Sequence, residues 1–157
     1  MGRGPGPDLG QRYGLEIRAA TGADAAGLAE LLAQAGRRID PHRLAERLEA
    51  LRQEGGSVLI ALAWGPPSGL VAFHRHRVLD ADLAVARIDM LLVGPEERRR
   101  GIGRLLIKAA SQAARVAGCG TLHIDVGPDQ ADLSAFCAAT GFTPGAGVFE
   151  RPLRKRS

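Results

Sequence analysis

Apolar and polar positions repeat at two different periods along the chain, and each block predicts one element. Leu15, Glu16, Ile17 and Arg18 alternate as a half-buried strand does. Ala25, Leu28, Ala29, Leu31, Leu32 and Ala35 then recur at helical spacing, with Gly36 as the stop. Thr21 and Asp24 form a variant capping box ahead of that helix, with Asp in place of Glu or Gln. Asp40-Pro41 predicts an N-cap with proline at the first helical position, and Leu44, Leu48 and Leu51 give a second apolar face up to Gly55-Gly56. The run from Ser57 to Trp64, apolar and partly β-branched, predicts a buried strand. The turn Gly65 to Gly69 returns the chain as a strand over Leu70 to Val78, an antiparallel hairpin. Alternation puts Val71, Phe73, Arg75 and Arg77 on one face of it and Ala72, His74, His76 and Val78 on the other. A looser turn around Asp80 to Asp82 leads to another apolar strand, Val85 to Val93.

Ile102, Leu105, Leu106, Ala109, Ala110, Ala113, Val116 and Ala117 then describe one apolar stripe, closed by Gly118 and Gly120. Thr121 to Val126 predicts a strand. Pro128 or Asp129 opens a further helix that carries Leu133, Phe136, Cys137 and Thr140 and stops at Gly141. Phe142 to Leu153 predicts a last strand despite Pro144 and Pro152. Strand, helix and strand in succession predict a right-handed βαβ unit with parallel strands. The fold class is therefore α/β, with a mixed, mostly antiparallel central sheet flanked by helices. Residues 15–153 are expected as a single domain, residues 1–14 as a disordered leader and residues 154–157 as a basic tail.

The chain has 157 residues, 45% hydrophobic and 24% charged, the composition of one soluble globular domain. Its longest apolar run, Val58 to Trp64, is far shorter than a membrane span, and no secretory signal or lipidation motif is legible. Cys119 and Cys137 are too few for a disulfide framework and form no C-x-x-C pair, which favours a reducing, cytoplasmic setting. The net charge of +4 rests almost wholly on arginine and points to an anionic ligand. Nucleic acid is disfavoured, because aromatics make up 4% of the chain and the arginines form no stacking platform. His74 and His76 share a strand face, but no third ligand stands at metal-binding spacing, so no metal site is expected.

The chemistry concentrates between the strand ending at Val93 and the helix opening at Ile102. A strand that feeds a glycine-rich turn into a helix presents free first-turn amides and the positive end of the macrodipole to an anion. Gly101 and Gly103 let a phosphate approach the backbone, and Arg98, Arg99, Arg100 and Arg104 supply full charges. A nucleotide P-loop would need G-K-S/T, where Arg104-Leu105 follows the second glycine; a Rossmann turn would need a third small residue where Leu106 stands. The bland alternative is a helix start with two incidental glycines beside a solvated charge run.

Arg98-x-x-Gly101-x-Gly103, preceded by Val93-x-Pro95, resembles the acetyl-CoA signature of the GNAT family of N-acetyltransferases. Ala86 to Val93 resembles that family's fourth strand, and Phe136-Cys137-Ala138-Ala139-Thr140-Gly141-Phe142 its late Phe-Tyr-x-x-x-Gly-Phe helix end. The resemblance covers residues 15–153 and implies the acyl-CoA N-acyltransferase fold with acetyl-CoA as co-substrate. It implies that the fourth and fifth strands splay, that pantetheine pairs with backbone of Leu91, Leu92 and Val93, and that the pyrophosphate meets the turn of Arg98, Arg99, Arg100, Gly101, Ile102, Gly103 and Arg104.

Asp89 is the candidate base: it is the only carboxylate in an otherwise apolar strand, where family members often carry Glu. Alternation places it with Leu91 and Val93, opposite Ile88, Met90 and Leu92, and burial there would suit a base. Cys137 stands where the family usually has the Tyr that protonates the leaving thiolate; it is a candidate acid, with core packing as the alternative. The implied reaction is acetyl transfer to a primary amine of a small molecule or peptide, with aminoglycoside-like, polyamine and amino-acid acceptors all open. The competing reading is a non-catalytic acyl-CoA sensor of the same fold. Neither nucleic acid nor membrane is an expected partner, and family members often pair as homodimers.

Overall fold

The structure, a computed structural model, describes residues 14–97, 100–145, 147 and 151–154. Among the described residues, five strands form one sheet in the order β1-β2-β3-β4-β5: Glu16–Ala19, Gly56–Leu62, Gly69–His76, Ala84–Val93 and Cys119–Ile124. The first three pairings are antiparallel and β4 pairs β5 in parallel, the mixed sheet that the patterning predicts. Helices α1 (Ala25–Gln34) and α2 (Pro41–Gln53) precede β2, α3 (Ile102–Val116) links β4 to β5, and α4 (Ala131–Ala139) follows β5. The chain divides into two compact units after Ile124.

Local chemistry explains the starts. Asp24 accepts from the Thr21 amide at 2.8 Å, the carboxylate half of the predicted box, and takes both Arg18 guanidinium nitrogens at 2.9 and 2.8 Å. Asp40 caps α2 by accepting from the Arg43 amide, with Pro41 at the first position. In the second unit, Gly141 at φ 97 lets the Phe142 amide reach the Cys137 carbonyl at 3.0 Å. That is a Schellman ending, the physical reason for a Gly-Phe pair at that place.

In the first unit, Leu28, Leu31, Leu32, Leu48, Ile60 and Leu70 form a core between α1, α2 and one sheet face. Helix α3 packs on the other face. There Gly69 has no room for a side chain: a Cβ would lie 2.9 Å from the Leu92 carbonyl oxygen, 3.1 Å from Leu106 Cδ1 and 3.2 Å from Ile102 Cγ2. The stripe of α3 is turned slightly from the predicted one, since Ile107 and Ala114 are buried and Val116 is exposed.

The expected leader lies outside the described residues except for Gly14, and so does the basic tail except for Arg154. The last strand predicted over Phe142 to Leu153 does not form among the described residues of that stretch, where Pro144 and Pro152 donate no backbone hydrogen bond. No described helix is long and apolar enough to cross a membrane.

Candidate active site

Simple alternation over β4 fails at one residue. Ala72 stands opposite Met90 and Phe73 opposite Ile88, so Asp89 is an extra residue on β4, a β-bulge. The bulge turns Asp89 away from the face of Leu91 and Val93, where alternation predicts it, and puts it beside Met90 on the wall of one cavity. Asp89 is also exposed rather than buried. Its carboxylate Oδ2 lies 2.9 Å from Nδ1 of His74, which shares that face. A carboxylate only accepts, so the His74 Nδ1–H donates in this contact, which leaves Nε2 as the ring nitrogen turned to other partners. The two side chains are 37% and 46% exposed, open enough to meet a substrate. The His76 ring follows at 5.9 Å. Sequence alternation correctly puts His74 and His76 on one strand face, but the bulge that brings Asp89 to His74 leaves no mark in the pattern.

The cavity encloses about 460 Å3 between α1, α2 and strands β2 to β4. Leu28, Leu32, Leu48, Leu70, Ala72 and Met90 give it an apolar floor, and Arg37, Arg38, Arg47 and Asp89 also line it. Among the described residues, no three His, Cys, Asp or Glu side chains group closely enough to hold a metal.

Two features of the same unit fit acetyl-CoA. First, β4 pairs β5 only from Ala84 to Ile88, so Leu91, Leu92 and Val93 have no described strand on that side. An amide-bearing arm can pair with such an edge as a strand would. Second, Gly101 caps α3 in the left-handed conformation, φ 78, and an added Cβ there would meet open space. Ile102 and Gly103 form the first turn of α3, the place where a helix receives phosphates. Arg100 is held by Glu97 at 2.6 Å, so its charge is partly answered within the turn. Arg98 and Arg99 lie outside the described residues.

Cys137 belongs to the second unit, in α4. It is buried, and burial pushes its thiol above the ordinary value.

No curated protein matches the sequence significantly. The fold is shared with solved structures. An acetyltransferase of Trypanosoma brucei is 22% identical, with a TM-score of 0.77 over 88% of this chain and 99% of the other. An aminoglycoside acetyltransferase from an uncultured soil metagenomic sample, in complex with sisomicin, is 19% identical, with a TM-score of 0.76 over 93% and 99%. AAC(6')-Iy, in complex with the bisubstrate analogue CoA-S-monomethyl-acetylneamine, is 21% identical, with a TM-score of 0.77 over 90% and 99%. The model of the acetyltransferase (GNAT) family matches residues 26–142, which take in the β4 edge, the Gly101 turn and the Gly141-Phe142 ending. With that match over most of its length, the chain belongs to the GNAT family of acetyltransferases, enzymes whose co-substrate is acetyl-CoA.

Proposed function

We propose that the chain transfers the acetyl group of acetyl-CoA to a primary amine of a small molecule or peptide, and that His74 and Asp89 together remove the amine proton. One observation carries this: β4 bears both an edge at Leu91 to Val93 with no described strand on its β5 side and, two residues earlier, a bulge that presents a His–Asp pair beside a cavity of small-molecule size. The edge receives pantetheine; the turn from Arg100 through Gly101, Ile102, Gly103 and Arg104 receives the pyrophosphate. The acceptor nitrogen bonds the acetyl carbonyl carbon as the carbon–sulfur bond breaks. His74 Nε2 takes the proton the nitrogen sheds, while Asp89 holds the ring and steadies the imidazolium.

Cys137 as the acid is the weaker alternative. A thiol made less acidic by burial has little tendency to protonate another thiolate, and burial is what core packing requires. Water is the simpler proton source for the departing coenzyme thiolate.

Thiol release from acetyl-CoA across a panel of amines tests this reading. Asp89→Asn and His74→Gln should each lower kcat by about 100-fold or more, with KM for acetyl-CoA nearly unchanged. Wild-type rates in both variants would remove the pair from the mechanism. Absent turnover with every amine, alongside thermal stabilisation by CoA, would mark a sensor.

A further inference from the structure

The cavity beside Asp89 carries a charge pattern that narrows the acceptor, given the acetyl-transfer reading above. We propose that the acceptor is an apolar primary amine that also bears an anionic group, a carboxylate above all, of the size of an amino acid with a large apolar side chain.

Three arginines and one carboxylate line the cavity: Arg37 and Arg38 from the loop between α1 and α2, Arg47 from α2, and Asp89 from the bulge. The arginines are available. Elsewhere Arg18 holds Asp24, Arg52 holds Glu49 and Arg100 holds Glu97. Among the described residues no acid pairs with Arg37, Arg38 or Arg47, and Asp89 is engaged by His74. A polycation entering here meets three guanidinium groups for one carboxylate, so a polyamine or aminoglycoside is repelled. Among the described residues, no acid other than Asp89 lines the cavity to draw one in. A neutral apolar amine would fill the leucine floor but leave the arginines unused. A carboxylate uses them well, because guanidinium grips it through two parallel hydrogen bonds. A volume of about 460 Å3 lies in the ordinary range of small-molecule sites. The floor then takes the apolar body, the arginines the carboxylate, and the His74–Asp89 side the amine.

Calorimetric titration of the CoA-saturated protein tests this without relying on turnover. The probes are L-phenylalanine, L-leucine and 4-(aminomethyl)benzoate, each against its uncharged amide, with spermidine and kanamycin as polycations; turnover of the same compounds is measured in parallel. Each acid should bind roughly tenfold more tightly than its amide, and both polycations should be the poorest ligands. In Arg38→Gln/Arg47→Gln, folded by its unshifted melting temperature, the acid-to-amide ratio should fall to about two or less. Amides binding as well as acids, or polycations binding best, would overturn the proposal. An acid preference in binding without acetylation of any amine would instead sink the transfer reading and leave this one standing. Acetylation with no preference for acids would do the reverse.

Discussion

Gly101 offers a perturbation whose cost follows from backbone geometry alone. It sits at φ 78, ψ 11, and its carbonyl accepts from the Leu105 amide at 3.0 Å, the bond that opens α3. A Cβ would meet nothing within 4 Å, so substitution changes conformational energy and not packing. The left-handed state costs an ordinary L residue about 1–2 kcal/mol, less for Asn and more for a β-branched residue. At roughly 2–4 °C per kcal/mol for a domain of this length, Gly101→Ala should lower Tm by about 2–8 °C. Gly101→Asn should fall less and Gly101→Val most. A turn that relaxes toward negative φ swings the first amides of α3 away from the end of β4. KM for acetyl-CoA should therefore rise, about tenfold for 1.4 kcal/mol of lost coenzyme binding, with kcat at saturation nearly constant. Thermal melts with and without CoA, together with thiol release at varied acetyl-CoA, measure both effects. Equal losses for Asn and Ala would show that the left-handed conformation is not the cause. A lowered Tm with an unchanged KM would show that this turn does not grip the coenzyme.

Gly69→Ala forces a Cβ to 2.9 Å from the Leu92 carbonyl oxygen, backbone that cannot swing aside; about 1–3 kcal/mol of stability should be lost, and a melt unaltered within 1 °C would contradict the packing of α3 on β3. The Asp24 carboxyl is held down at about 2, from 3.8, chiefly by the Arg18 guanidinium and also by the Thr21 amide. Because the folded value is the lower one, its contribution is complete above pH 4–5 and disappears as pH falls toward 2. The full shift is worth about 2 kcal/mol, and screening at the 38% exposed Arg18 side chain reduces it to about 1 kcal/mol. Asp24→Asn should thus destabilise at pH 7 and approach wild type at pH 2; an equal deficit at both pH values would exclude the ion pair as the cause. Cys137→Ala should keep kcat within about threefold while lowering stability by about 1 kcal/mol, and a kcat loss of tenfold or more would restore the thiol as proton donor.

The order of elements through α4, the helix caps, the hairpin and the glycine-rich turn were legible in the sequence, because each depends on neighbours in the chain. Thr21 and Asp24, Asp40 and Pro41, or Gly101 before Ile102 act within one turn of backbone, and periodicity reports which face is covered. The motif around Gly101 and the Gly141-Phe142 ending pointed to the family for the same reason. The chemistry of β4 lay beyond that reach. Asp89 is set by its register against β3: one residue without a partner reverses the face of everything on its far side, and nothing in an apolar run marks which residue that is. So the carboxylate expected in the core stands exposed against His74, fifteen positions away in the chain. The cavity is likewise a product of assembly, bringing Arg37 and Arg38 from the loop after α1 and Arg47 from α2 to the same hollow as Asp89. Sequence determined most of the elements and the glycine-rich turn, through contacts a few residues apart; tertiary structure decided which charges share a site, because strand register and helix docking are set by the packing of distant segments.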